Sequence, residues 1–243
     1  MALSKIGTNS ISDDAVTTAK LPNDAVTSAK IADGTIATGN IADDAITAAK
    51  IDDDGTGFTV GDLTIGSTAA KKAGVETIWV PANSMYPETT NGCALITQVE
   101  LGNGPEMKVL DFEPSSDEHA QFSVAFPKSW NEGTITFKAY FTVTGTNTGT
   151  VAWGLSGVAI ADDDSINTAF GTNVVATAKA HSGTSNDLNV TNESGAVTIA
   201  GSPAAGEQVF FQIKRDVSAD DQSGDARLLG VQLFFTTDAA NDA

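Results

Sequence analysis

A β-branched aliphatic residue or leucine falls on every fifth position from Ile6 onward: Ile6, Ile11, Val16, Leu21, Val26, Ile31, Ile36, Ile41, Ile46 and Ile51, until Thr56 breaks the run. On an α-helix a step of five residues turns the side chain through about 500°, so these residues would drift round the cylinder instead of forming a stripe. On a straight strand an odd step sends successive residues to opposite faces. The period is met by short extended pieces with a bend in every half-repeat, which aims each Ile or Val at one common axis. Aligned in tens, the segment reads ISDDAVTTAK, LPNDAVTSAK, IADGTIATGN and IADDAITAAK. The same two slots hold Asp13-Asp14, Asn23-Asp24, Asp33-Gly34 and Asp43-Asp44. Such residues bond nearby backbone and accept turn geometry.

A ribbon with one apolar edge cannot form a core alone; it must coil on itself or wind around copies of itself. One apolar residue in five is too lean for a solitary solenoid with several inward walls. The expectation is therefore a fibrous stalk over residues 1–55, intertwined as a homotrimer, with the ten residues named above as its core. Residues 56–75 are expected to form a hairpin, around Phe58, Val60, Leu63 and Ile65, and a neck.

From residue 76 to 243 the pattern changes to short strands separated by turn-rich stretches, such as ETIWVPA, AQFSVAF, TITFKAYFTV, QVFFQIKR and RLLGVQLFFTT. In the third of these, Ile135, Phe137, Ala139, Phe141 and Val143 share one face, and Thr134, Thr136, Lys138, Tyr140 and Thr142 the other. Val209, Phe211 and Ile213 repeat the scheme, as do Leu229, Val231, Leu233 and Phe235. No helical pattern intervenes. The fold class expected is all-β, with a jelly-roll-like antiparallel β-sandwich head following the stalk.

A net charge of −18, from 13 basic and 31 acidic residues, argues against nucleic acid or an anionic membrane as partner. No apolar run is long enough to cross a membrane, and the N-terminus lacks the pattern of a secretory leader, so neither membrane insertion nor export is expected. Cys93 is the sole cysteine and reads as a buried, inert thiol. His119 and His181 stand apart from other metal-ligand residues and read as surface residues; the runs Asp52-Asp53-Asp54-Gly55 and Asp162-Asp163-Asp164 read as solvated turns. No nucleophile, phosphate-cradling or paired-carboxylate signature stands out, so no catalytic residue, metal or cofactor is expected. Trp79, Trp130, Trp153, Tyr86 and Tyr140 are the residues to test for stacking on sugars, with packing as the competing role.

The stretch DDAVTTAKLPNDAVTSAKIADGTI resembles the repeats of bacteriophage tail-fibre and appendage proteins. ETIWVPANSMYPETTNGCA, FPKSWNEGTITFKAYF and LLGVQLFFTTDAANDA are similar to virion-associated proteins of marine phages. The resemblance implies a trimeric fibre or spike: a virion protein, assembled in the host cytoplasm, that meets other virion proteins through its stalk and a host-surface glycan or protein through its head. A capsid (head) fibre or decoration protein is the near alternative. A cellular carbohydrate-binding adhesin module is the alternative of another class.

Overall fold

The computed structural model describes residues 11–12, 15–42, 45 and 74–238. The chain divides into two units, Met1–Thr64 and Ile65–Ala243.

In the first unit a hydrogen-bonded turn recurs every five residues. The N–H groups of Ala15, Lys20, Ala25, Lys30, Thr35, Asn40 and Ala45 each donate to the carbonyl three residues earlier, at 2.9 to 3.2 Å. Turns of one kind are short 3₁₀ pieces, Thr18–Lys20, Ser28–Lys30 and Thr38–Asn40. In the alternate turns Asp24 and Gly34 occupy one slot with φ of 61° and 76°, the left-handed conformation that Asp tolerates and Gly favours. The Lys20 ammonium donates to the Ala15 carbonyl at 2.7 Å and that of Lys30 to Ala25 at 2.6 Å. In the third decad Asn40 stands in the lysine's place, and its Oδ1 accepts from the Ala37 N–H at 2.8 Å. A single copy leaves the apolar edge half-exposed, from 41% at Ile31 to 56% at Val26 and Ile36, with Ile11, Val16, Leu21 and Ile41 between. Ile6, Ile46 and Ile51 lie outside the described residues, as does the expected hairpin and neck up to residue 73.

The second unit is all-β. Its first sheet holds β1 (Gly74–Pro81), β3 (Thr97–Val99), β4 (Met107–Phe112), β6 (Trp130–Val143), β11 (Asn189–Val190) and β14 (Ala226–Thr237). The order is β11-β6-β14-β4-β3, with β1 also on β14. The second sheet holds β2 (Tyr86–Pro87), β5 (Glu118–Ala125), β8 (Trp153–Ile160), β9 (Val174–Val175), β12 (Ile199–Ala200) and β13 (Gln208–Arg215). Its order is β12-β8-β13-β5-β2, with β9 on β8. A small ladder joins β7 (Thr150–Val151) to β10 (Lys179–Ala180). The named strands pair antiparallel, except β12, which runs parallel to β8. The first strand opens at Gly74, two residues ahead of the expected head boundary.

Between the sheets lies an aromatic core. Phe122 stacks on Phe211 at 5.3 Å and Phe126 on Trp130 at 4.4 Å, while Phe112 meets Trp153 edge-on at 5.0 Å. The alternation of β6 holds, and Ile135, Phe137, Ala139, Phe141 and Val143 are all buried. On β14 the parity changes at a register shift between Leu228 and Gly230. Leu228 is buried there and Leu229 lies on the half-buried face, contrary to the expected grouping of Leu229 with Val231. The bulge inserts one residue, and a period-two reading cannot anticipate the insertion.

Arg215, at the end of β13, points into this core and is fully buried. Its Nε and Nη2 grip the two carboxylate oxygens of Asp220 at 2.6 and 3.1 Å. Nη1 donates to the carbonyls of Phe112 and Gly224, both at 2.9 Å, and Nη2 also to that of Gln222 at 2.6 Å. The guanidinium has five N–H groups, and all five find acceptors.

Candidate functional site

His181 is buried, not on the surface as its polar neighbours suggested; its ring nitrogens lie 2.8 Å from the Asn147 carbonyl and 3.0 Å from that of Thr184. His119 is only partly buried and lies 3.3 Å from the Asn91 carbonyl. Among the described residues no group of three or more His, Cys, Asp or Glu converges as a metal would need. Asp52, Asp53 and Asp54 lie outside them. Asp162, Asp163 and Asp164 form a turn on the wall of a broad cleft of about 800 Å³, shared with Glu207, Gln208 and Phe210. That cleft offers carboxylate acceptors, and Gln208 Nε2 on its wall gives one of its two N–H groups to Ser123 at 3.2 Å.

Cys93 is buried, and its thiol is pushed up to about 12 by burial first and by the neighbouring charges of Glu118 and Asp111. At about pH 8 such a thiol holds roughly a thousandfold less thiolate than a free one. The native protein is expected to resist iodoacetamide while the unfolded chain is alkylated fully, as intact mass would show.

The aromatic candidates separate clearly. Trp130 and Trp153 are core residues, and Tyr140 is partly buried. Trp79 and Tyr86 each remain 49% exposed. Tyr86 has its ring beside a cleft of about 370 Å³ lined by Pro87, Glu88, Thr89, Thr90 and Gln121.

The cleft is built from strand register. Tyr86 of β2 pairs with Gln121 of β5, Gln121 with Gln212 of β13, and Gln212 with Ser156 of β8, a single cross-strand row. Because Ala120, Phe122, Phe211 and Ile213 take the inward positions, Tyr86, Gln121 and Gln212 lie on the outer face, while Ser156 at the end of the row is itself buried. Glu88 Oε1 accepts from Gln121 Nε2 at 2.6 Å and, through a shorter contact, from Gln212 Nε2. One carboxylate thus fixes two amide planes and leaves their carbonyl oxygens as oriented acceptors.

A tight loop sets Glu88 in place. The Glu88 and Cys93 N–H groups both donate to the His119 carbonyl, at 3.3 and 3.2 Å, and the His119 N–H donates to Asn91 at 2.8 Å. Asn91 adopts a φ of 57°. A Cβ at Gly92 would lie 2.0 Å from the Glu88 carbonyl oxygen, so only glycine closes the loop. Tyr86 is among the residues expected from the sequence, whereas Glu88, Gln121 and Gln212, scattered along the chain, are not. An outward parity for Gln121 and Gln212 on their strands was the available signal.

Carboxyl groups elsewhere in the head give it a pH dependence. Those of Asp111 and Glu118 are pushed up, in both cases chiefly by burial, with Arg227 opposing for Asp111 and the Glu113 N–H opposing for Glu118. A raised carboxyl stabilises the fold below its unfolded value, and that contribution is lost as pH rises through the folded one. Asp216 is lowered by Ser218 and Lys214 despite its burial, and Asp221 by its bonds from Thr150. Their contribution is present above the unfolded value and lost as pH falls through the folded one. Thermal midpoints are therefore expected to rise as pH falls from neutrality toward the ordinary carboxylate range near about 4, and to fall again below it. A continuous decline on acidification from neutrality would contradict the assignment.

No protein-family model matches this chain, and no curated protein matches it. Among solved structures, the CBM36-1 domain of a multidomain xylanase from the hindgut metagenome of Trinervitermes trinervoides is 11% identical; the match covers 65% of this chain and 96% of that one, with a TM-score of 0.34. The CBM22-1 xylan-binding domain from Paenibacillus barcinonensis is 11% identical over 71% of this chain and 100% of its own, with a TM-score of 0.39. The mannan-recognising module TmCBM27 is 12% identical over 68% and 98%, with a TM-score of 0.34. At these scores each is a likeness of overall course, from which no residue role carries across.

Proposed function

We propose that this chain is an attachment protein whose head binds a glycan in the Tyr86 cleft. The observation that carries this reading is a half-exposed phenol ring in one cross-strand row with two amides that a single carboxylate holds. Sugars present C–H faces suited to an aromatic ring and hydroxyls suited to planar amide and carboxylate groups, and a site fixed before binding loses less conformational freedom. The chemistry is recognition, not bond cleavage.

The stalk belongs to the same proposal. Its fivefold turns leave Ile and Val side chains half-exposed in one copy, and winding three copies together would cover them and link three heads. Linked heads raise avidity without any new contact in the cleft. The placement of such a fibre on a virion, tail or capsid, is supported by the resemblance of the decads and of the C-terminal phrases to phage proteins. A cellular adhesin with the same cleft is the alternative, and imaging of intact particles separates the two.

The test is retention of the full chain in affinity gels containing xylan, a mannan, a β-glucan or host-cell surface polysaccharide. At least one should retard the wild type, and Tyr86→Ala should weaken that affinity about 5–30-fold, the loss of roughly 1–2 kcal/mol expected for a central aromatic contact. Absence of retardation on every polysaccharide, or equal retardation of the variant, overturns the reading.

A further inference from the structure

Among the described residues Trp79 is the other half-exposed aromatic ring, and it lies on the opposite sheet from Tyr86. Its strand, β1, places it in register with Gln232 of β14, which is in register with Lys138 of β6. A Cβ at Gly230 would come within 2.5 and 2.6 Å of the indole carbons Cζ2 and Cη2. The ring therefore lies over bare backbone, in a seat that no larger residue leaves open. Tyr140 braces it edge-on, with centroids 4.9 Å apart at 82°. The Tyr140 hydroxyl donates to Gln232 Oε1 at 2.9 Å, which orients that amide and leaves its N–H groups available. The Lys138 ammonium stands 5.5 Å from the Phe234 ring centroid in the same neighbourhood.

We propose that this platform is a second glycan site, taking a neutral pyranose residue, so that each head is bivalent. The inference goes beyond the Tyr86 cleft and stands on its own residues. A flat ring seated on a strand, with an oriented amide and an ammonium in its row, offers one stacking surface and several donors to sugar hydroxyls. The choice of a neutral ligand follows from charge. Lys138 in the row disfavours a cation on the indole, and the net charge of −18 disfavours phosphates and acidic sugars. A second copy of the head fits less well. The exposed apolar members are Val75 and Trp79, interspersed with Thr77, Gln232 and Lys138, and a half-exposed indole contributes only about 100 Å² against the roughly 800 Å² per partner of a stable interface.

The test uses acrylamide quenching of the full chain, in which Trp130 and Trp153 are buried and Trp79 dominates the accessible signal. Neutral hexaoses of xylose, mannose and glucose are the probes. At least one should lower the quenching constant about twofold, as the ring passes from half-exposed to covered. The same protection should persist in Tyr86→Ala and disappear in Trp79→Phe. Failure of every hexaose to protect, or loss of protection in Tyr86→Ala, overturns the proposal. So does protection that appears with rising protein concentration and no sugar, since that assigns the face to a second copy. Should Tyr86→Ala be retarded as strongly as the wild type while Trp79 protection persists, the cleft reading fails and the platform stands.

Discussion

Arg215→Ala is expected to destabilise the head by about 3–5 kcal/mol, seen as a lower denaturant midpoint at unchanged slope. The substitution strands the Asp220 carboxylate, 2% exposed, without its partner. It also removes the donors that hold the carbonyls of Phe112, Gln222 and Gly224. Residues 220–224 would lose their anchor to the core, and with them the Gln222 amide that reaches the Asn147 and Gly149 carbonyls at 3.0 and 3.3 Å. Arg215→Lys should cost nearly as much, because an ammonium has three donors and no planar fork. Arg227→Ala serves as the contrast. Its guanidinium is 22% exposed and makes one 3.2 Å contact with Asp111, an arrangement worth about 1 kcal/mol or less. Equal effects at the two arginines would refute the role assigned to the buried one.

Gly92→Ala is expected to cost about 1–3 kcal/mol and to weaken glycan retention at the Tyr86 cleft by tenfold or more. The added carbon would meet the Glu88 backbone at 2.0 Å from its oxygen, 2.8 Å from its nitrogen and 2.9 Å from its carbonyl carbon. Backbone cannot give way as a flexible side chain does, so the loop must open. Glu88 then swings away from Gln121 and Gln212, and the amide planes lose their common anchor. Gly102→Ala is the control, since nothing lies within 4 Å of its added carbon, and it should remain within about 0.5 kcal/mol of the wild type. Calorimetry with affinity gels on both variants checks the pair; a Gly92→Ala protein that melts and binds like the control removes the loop from the site.

How legible the head was depends on the range of the interactions. The alternation along β6 told which side chains face inward, because the pleat repeats every two residues whatever the partner strand. The same parity places Arg215 inward with Val209, Phe211 and Ile213, so the buried arginine was readable from the strand pattern alone. Leu229 was misplaced because a bulge is settled by the neighbouring strand. Trp130 and Trp153 could not be told from Trp79 by composition. Only the packing of two sheets decides which ring is enclosed.

The site was legible in part for a related reason. Tyr86 was a candidate by residue type, while its polar companions Gln121 and Gln212 come from β5 and β13, 33 and 124 residues along the chain from Glu88, to which both bond. The glycine that closes the loop, Gly92, looked like any other turn glycine until its distance to Glu88 was known.

By itself the sequence determined two local rhythms: a turn every five residues in the decads and an inward-outward alternation in the strands. Both arise from backbone geometry and nearest neighbours, which recur wherever the residues recur. What only the tertiary structure decided was who lies beside whom. The last strands insert among earlier ones, β13 between β5 and β8 and β14 between β4 and β6, so the row from Tyr86 to Ser156 and the seat of Trp79 over Gly230 exist only once the chain has closed. Cross-strand contact depends on register between distant segments, and register is a property of the assembled sheet rather than of any stretch within it.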